Sequence, residues 1–247
     1  MNGGERMEAP LRDTLVSCGL AFASIAALGM IARGVPLVAA NLGALVAVVF
    51  ILIPFVYGDR HNQDLVAFGF HAEHLSRSLA IALGALALVF PVFVAGFVLF
   101  YDMICSSSAP ALLAELAPHG MCPDWRGWSG IRWPPTDGLA VMALTQLIVV
   151  AIPEELFFRG FILKLLETRW VPRRRLLGGG IGLALVVSSL LFAVGHMLVV
   201  FDPRRLAVFF PGLVFGWMRS ATGSIVASVI FHMASNLLID YISKMFS

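Results

Sequence analysis

The sequence predicts an all-α protein, a polytopic transmembrane helix bundle of about seven spans (six to eight). Two observations predict this class. Of the 247 residues, 59% are hydrophobic and 13% are charged, whereas soluble domains are about 45–50% apolar and about 25% charged. The apolar residues also form windows close to the roughly 20 residues that a helix needs to cross a bilayer. These windows are 14–32, 36–57, 79–101, 138–163, 180–200, 205–219 and 222–243.

The lysines and arginines between the windows predict the orientation. With a cytoplasmic N-terminus, ten of them fall on the inner side and six on the outer side, and the largest inner cluster lies in residues 169–175. This bias agrees with the positive-inside rule. The compact length and short loops favour a bacterial inner membrane. The net charge of +2 argues against a nucleic-acid partner, so the expected partners are the lipid bilayer and a membrane-anchored protein or peptide.

The longest segment between windows is the loop 102–137, which this orientation places outside. We expect residues 1–137 to hold N-terminal membrane helices and this outer loop, and residues 138–247 to hold a helical core, both within one structural domain. Cys105 and Cys122 lie in the loop. An outer compartment permits a disulfide between them, and two free thiols are the alternative.

Three tryptophans recur in the same loop, and tryptophan favours the membrane–water interface. One interpretation is a loop that lies on the lipid headgroups. The other is a lid or a substrate-docking element over a cavity. The three residues are Trp125, Trp128 and Trp133.

The fourth window contains charges that are costly inside a bilayer. In 151-AIPEELFFRG-160, Glu155 and Arg159 are four residues apart on one helix face, a spacing at which opposite charges attract. Glu154 is turned about 100° away and has no partner at helical spacing, and Pro153 should bend the helix before it. Two carboxylates and one arginine leave a surplus charge, so further polar partners are expected.

Later windows supply such partners. His196 lies in the fifth window, and His232 and Asn236 lie four residues apart in the seventh. Polar groups inside a helix bundle face inward and contact one another. We therefore expect a polar cluster of Glu154, His196, His232 and Asn236, buried between three helices, with Glu155 and Arg159 behind it.

The residue types leave three chemistries open. A carboxylate beside two imidazoles can deprotonate a water that attacks a carbonyl, with an imidazole or amide stabilising the oxyanion. Alternatively, Glu154, His196 and His232 ligate a divalent metal such as zinc, which activates the water. Both routes give peptide hydrolysis inside the membrane. A proton relay in a proton-coupled transporter would use the same residue types.

Three motifs in order make the chain similar to the CPBP family of intramembrane proteases, also called the Abi family, which includes CAAX prenyl endopeptidases and bacteriocin-processing enzymes. They are EExxxR at Glu154, Glu155 and Arg159, FxxxH at Phe192 and His196, and a late histidine followed by asparagine four residues on, at His232 and Asn236. The resemblance covers about 138–240. It implies that residues 138–247 form the catalytic core of an intramembrane endopeptidase.

The resemblance also implies roles for these residues. Glu154 would be the general base, assisted by His196, while His232 and Asn236 would stabilise the oxyanion. Glu155 and Arg159 would hold the site together. The expected reaction is cleavage near the end of a membrane-associated protein or peptide precursor, such as a leader, a bacteriocin precursor or a C-terminal membrane tail. A non-catalytic immunity or scaffold protein of the same fold is a further alternative.

Straight helices of the predicted lengths would place these groups at different depths. Glu154 would lie near the middle of the membrane, whereas His196 would be four residues from the outer end of its window. At about 1.5 Å per residue, the mismatch is roughly 10 Å. The window 205–219 is short and contains Pro211, so a re-entrant segment is the alternative there, and it would move the C-terminus to the opposite face.

Overall fold

The computed structural model describes residues 3–106, 110, 117, 121–199 and 202–246. Helices dominate this part of the chain, which confirms the all-α class. They are α1 (Gly3–Ala32), α2 (Pro36–Ala40), α3 (Leu42–Arg60), α4 (Leu75–Ile104), α5 (Met121–Asp124), α6 (Leu139–Arg169), α7 (Leu183–Val199), α8 (Phe209–Thr222) and α9 (Val226–Phe246). A short antiparallel hairpin of β1 (Arg174–Leu176) and β2 (Gly179–Ile181) joins α6 to α7.

Each predicted span coincides with helical structure, but the helices differ in length. Within the described residues, five helices are long and apolar enough to cross a membrane: α1 from Ala9 onward, α3, α4, α6 and α9. The windows 180–200 and 205–219 correspond to α7 and α8, which have only 17 and 14 residues. The structure therefore has five full-length candidate spans and two shorter helices in place of seven similar spans.

The two ends of α9 mark opposite faces of the bundle. At its C-terminal end, the carbonyl of Phe246 accepts a hydrogen bond from the N–H of Arg126, at 2.9 Å. We call this end of the bundle the loop face. At the other end, the N–H of Ile225 donates to the carbonyl of Gly69, at 3.0 Å. The β1–β2 hairpin lies at this end, where the N–H of Gly180 donates to Ser220. We call this end of the bundle the hairpin face. The chain thus returns to the loop face through α9.

A disulfide closes part of the loop 102–137. Cys105 and Cys122 form a disulfide, so the bridge forms rather than two free thiols. Nearby, the indole N–H of Trp125 donates to Asp102 at 2.8 Å. Residues 107–109, 111–116 and 118–120 of this loop lie outside the described residues. The side chain of Trp133 is 76% exposed, so it is free to contact the membrane–water interface.

Helix α6 is the centre of the bundle. Every residue from Glu155 to Leu163 is buried, as expected for a helix surrounded on all sides. Phe50 of α3 packs against Phe157 and Phe158 of α6, with ring centroids 4.9 and 5.4 Å apart. The N-terminal helices and the C-terminal core therefore share one apolar interior.

The backbone of α6 departs from a regular helix on both sides of the doubled glutamate. Residues Gln146–Ala151 and Leu156–Ile162 form π-helical turns, with the α-helical turn Ile152–Glu155 between them. The sequence predicted only a bend at Pro153. Such wide turns are frequent at functional sites.

Gly160 fixes how closely α6 approaches the segment before α4, which gives a stability prediction. A Cβ at this position would lie 2.5 Å from the backbone carbonyl oxygen of Phe68. Gly160→Ala should therefore lower the free energy of unfolding by about 1–3 kcal/mol, the usual cost of overpacking. The measurement is the apparent melting temperature in detergent. Gly84→Ala is the matched control, because nothing lies within 4 Å of a Cβ there and alanine favours a helix. Equal melting temperatures for the two variants would contradict the close approach.

Candidate active site

Glu154 lies between two imidazole rings supplied by later helices. Its Oε2 is 3.7 Å from Nε2 of His196 on α7 and 3.8 Å from Nε2 of His232 on α9. These distances exceed that of a direct hydrogen bond and suit a bridging water. The same Oε2 is buried and has no hydrogen-bond partner among the described residues. A polar atom in this position needs a ligand, a substrate group or a water to satisfy it.

The second motif, Phe192 and His196, lies on α7 and sets the orientation of the His196 ring. Nδ1 of His196 is 3.0 Å from the carbonyl oxygen of Phe192. A carbonyl only accepts, so Nδ1 carries the proton and the other ring nitrogen faces Glu154. The Phe192 ring packs edge-on against His196, with centroids 4.4 Å apart, and lies 3.9 Å from the guanidinium carbon of Arg159. Phenylalanine at this spacing therefore orients the histidine and covers the arginine.

Behind Glu154 lies a fully buried charged group. Glu155 and Arg159 form an ion pair at 3.1 Å, and their side chains are 0% and 1% exposed. Nδ1 of His232 is 3.0 Å from the same carboxylate oxygen of Glu155. Arg159 also donates to the carbonyl of Gly212 on α8 at 3.3 Å. The ion pair thus connects α6 to both α8 and α9.

Asn236 lines the same cavity as Glu154 and His196, and its partner was missed by the sequence analysis. Its amide donates to Oε1 of Gln146 on α6 at 2.8 Å. Gln146 precedes Glu154 by eight residues, about two helical turns. A lone amide in the apolar window 138–163, two turns before the carboxylate, was the signal that could have found it.

The expected depth mismatch is absent, because Oε2 of Glu154 lies 3.7 Å from Nε2 of His196. Glu154 lies at the middle of α6. His196 lies three residues before Val199, the last described residue of α7, and its ring reaches the level of the Glu154 carboxylate.

All six predicted site residues therefore gather at one place. Three of them, Glu154, His196 and Asn236, line a cavity of about 340 Å³. His232 contacts Glu154 from the side, and Glu155 and Arg159 lie behind it.

The predicted metal ligands are not arranged as a preformed metal site. Across the described ranges, no group of three or more His, Cys, Asp or Glu side chains is arranged to hold a metal ion. The predicted ligands Glu154, His196 and His232 approach one another only through the two long contacts of Glu154.

Comparison with known proteins agrees with the motifs. The family model described as type II CAAX prenyl endopeptidase, Rce1-like, matches residues 136–238. No curated protein and no solved structure matches the chain. The matched segment contains all three motifs, and the family is a protease family. Over residues 136–238, this membrane protein is therefore similar to the Rce1-like type II CAAX prenyl endopeptidases, which confirms the resemblance inferred from its motifs.

Proposed function

We propose that this protein is an intramembrane endopeptidase that hydrolyses a peptide bond near the end of a membrane-associated protein or peptide precursor. The observation that carries the proposal is the position of Glu154 Oε2, 3.7 and 3.8 Å from two imidazole nitrogens on different helices. A water held there would be within reach of a base, and the cavity leaves room for a peptide beside it.

In this mechanism, Glu154 takes a proton from the water as the water oxygen attacks the scissile carbonyl carbon. His196, whose Nδ1–H is held by the Phe192 carbonyl, accepts a second hydrogen bond from the water through Nε2 and orients it. The tetrahedral intermediate then collapses. The C–N bond breaks, and Glu154 returns its proton to the leaving amine.

The oxyanion needs hydrogen-bond donors that are already in place. Asn236 Nδ2 has two hydrogens, of which one is donated to Gln146, so the other is available. His232 donates Nδ1–H to Glu155 and can donate from Nε2 when both ring nitrogens are protonated. This assignment also balances the charges. With Glu154, Glu155 and Arg159, a protonated His232 brings the buried cluster to zero net charge.

The disulfide supports the proposed orientation. Cys105 and Cys122 are bonded on the loop face, and disulfides persist in oxidising compartments outside the cytoplasm. We propose that the loop face is the outer face and that the N-terminus is cytoplasmic, in a bacterial inner membrane. The family match suggests a farnesylated CAAX peptide as an experimental probe. The proposed orientation favours a leader or a C-terminal membrane tail as the natural substrate.

The proposal is tested in cells of the source organism. Membrane proteomes are compared between the wild type and a Glu154→Gln strain, with peptides mapped to protein ends. We expect at least one membrane protein to keep a terminal segment in the variant strain that is absent in the wild type. Identical protein ends in both strains would contradict the peptidase. The non-catalytic immunity or scaffold alternative would be supported instead if the Glu154→Gln protein gave the cells the same immunity as the wild-type protein.

A further inference from the structure

The cavity before Glu154 has a charged wall that the proposed mechanism does not use. Apolar residues of α3 and α6, such as Val46 and Val149, form much of its lining. Arg205, from the turn Pro203–Val208 that precedes α8, also lines it. Among the described residues around this cavity, Arg205 is the only lysine or arginine.

No acidic side chain in the described part of the chain forms an ion pair with Arg205. Its neighbour Arg204, in contrast, does form one. Arg204 donates to both carboxylate oxygens of Asp202, at 2.7–2.9 Å. These hydrogen bonds lower the pKa of Asp202, and the nearby charge of Arg205 adds a smaller effect in the same direction without a hydrogen bond. Glu154, the acid in the cavity, is flanked by the two histidines instead.

A guanidinium beside an apolar cavity is suited to a planar anion. It presents paired donors that match the two oxygens of a carboxylate, and Arg205 is exposed and so accessible to a ligand. Because Arg205 and Glu154 line one cavity, an anion bound to Arg205 would belong to the same short peptide as the scissile bond. An extended peptide advances about 3.3 Å per residue, so only a few residues would separate them.

We propose that Arg205 is a specificity residue that binds a carboxylate of the substrate within a few residues of the scissile bond. This inference rests on the proposed peptidase function and narrows its substrates. The carboxylate is either the free C-terminus of the substrate or an acidic side chain near the cleavage site. In both cases, Arg205 contributes to substrate binding and takes no part in proton transfer.

The test measures binding to full-length Glu154→Gln protein in nanodiscs, so that no cleavage is needed. The probes are three peptides with the same S-farnesylated cysteine: one with a free C-terminal carboxylate and an apolar last residue, its C-terminal amide, and the amide with aspartate as the last residue. We expect at least one carboxylate-bearing peptide to bind about tenfold more tightly than the neutral amide, as one charge-assisted hydrogen bond supplies.

Variants at two neighbouring arginines show whether Arg205 causes the preference for a carboxylate. Adding Arg205→Gln should remove the preference, whereas Arg204→Gln, the matched control outside the cavity lining, should keep it. Preference for the free acid alone identifies the C-terminus, and preference for the aspartate peptide alone identifies a side chain. Equal binding of all three peptides, or binding of none, would overturn the role of Arg205. This outcome would leave the peptidase proposal intact, because the comparison of protein ends between the wild type and the Glu154→Gln strain tests the peptidase separately.

Discussion

Purified Glu154→Gln protein is expected to cleave substrate about 10³-fold more slowly than the wild type, within the range of 10²–10⁴ typical for loss of a general base. Glutamine has the same shape and keeps the contacts with the two histidines, but it cannot take a proton from water. His196→Ala should also slow cleavage strongly, because the ring nitrogen that orients the water is removed. The measurement is the initial rate on a fluorogenic farnesylated CAAX peptide or on a protein found by the proteome comparison.

The control for this prediction is another half-buried glutamate on the same helix. Glu167→Gln changes an acid of α6 near the hairpin face, away from the cavity, and should retain cleavage. All variants should keep the melting temperature of the wild type to within a few degrees. Near-normal cleavage by a folded Glu154→Gln protein would remove this residue from the chemistry.

The same preparation decides between side-chain catalysis and zinc. In the proposed mechanism, cleavage by the wild type survives dialysis against 1,10-phenanthroline. Loss of activity that returns on addition of zinc would instead assign Glu154, His196 and His232 as metal ligands. Their glutamine or alanine variants would then also lose bound zinc, which elemental analysis of the purified protein would detect.

The largest effect on stability is expected from Arg159. This residue is 1% exposed, pairs with Glu155, donates to the Gly212 carbonyl and lies against the Phe192 ring. Arg159→Met would keep much of the volume but leave the Glu155 carboxylate buried without its main cation. Breaking one partner of a buried pair costs about 3–5 kcal/mol, so we expect a large loss in unfolding free energy, measured by denaturation in mixed micelles.

A double variant separates the lost charge from the lost packing. Glu155→Gln combined with Arg159→Met should be less destabilised than the sum of the single variants, because no unpaired carboxylate remains. Arg33→Met, at an exposed arginine, is the control and should not change stability measurably. Additive single effects would show that Glu155 and Arg159 do not stabilise each other, despite their 3.1 Å separation.

Helical spacing explains why so much of the site was predictable. Glu155 and Arg159 are four residues apart on one helix, as are Phe192 and His196, and each pair makes a contact within its own helix or backbone turn. Such contacts depend only on the local rise and turn of the chain. The order of the motifs then predicted the family and the set of side chains.

Contacts between helices were harder to predict, because they depend on the relative heights of the helices. The sequence showed an apolar window 180–200, but not how α7 packs against α6 so that Nε2 of His196 lies 3.7 Å from Oε2 of Glu154. Gln146 was overlooked for the same reason. Its partner, Asn236, is 90 residues away along the chain.

The sequence by itself determined the membrane class, the helical composition and the residues that form the charged cluster, because apolar windows and three- or four-residue spacings are local properties. Tertiary structure decided which atoms of that cluster meet. It turned Nδ1 of His232 to Glu155 and Nε2 to Glu154, joined Cys105 to Cys122 and brought Arg205 to the cavity. These contacts follow from how helices of unequal length pack against α6, and the balance of packing over the whole bundle is not encoded in any single segment.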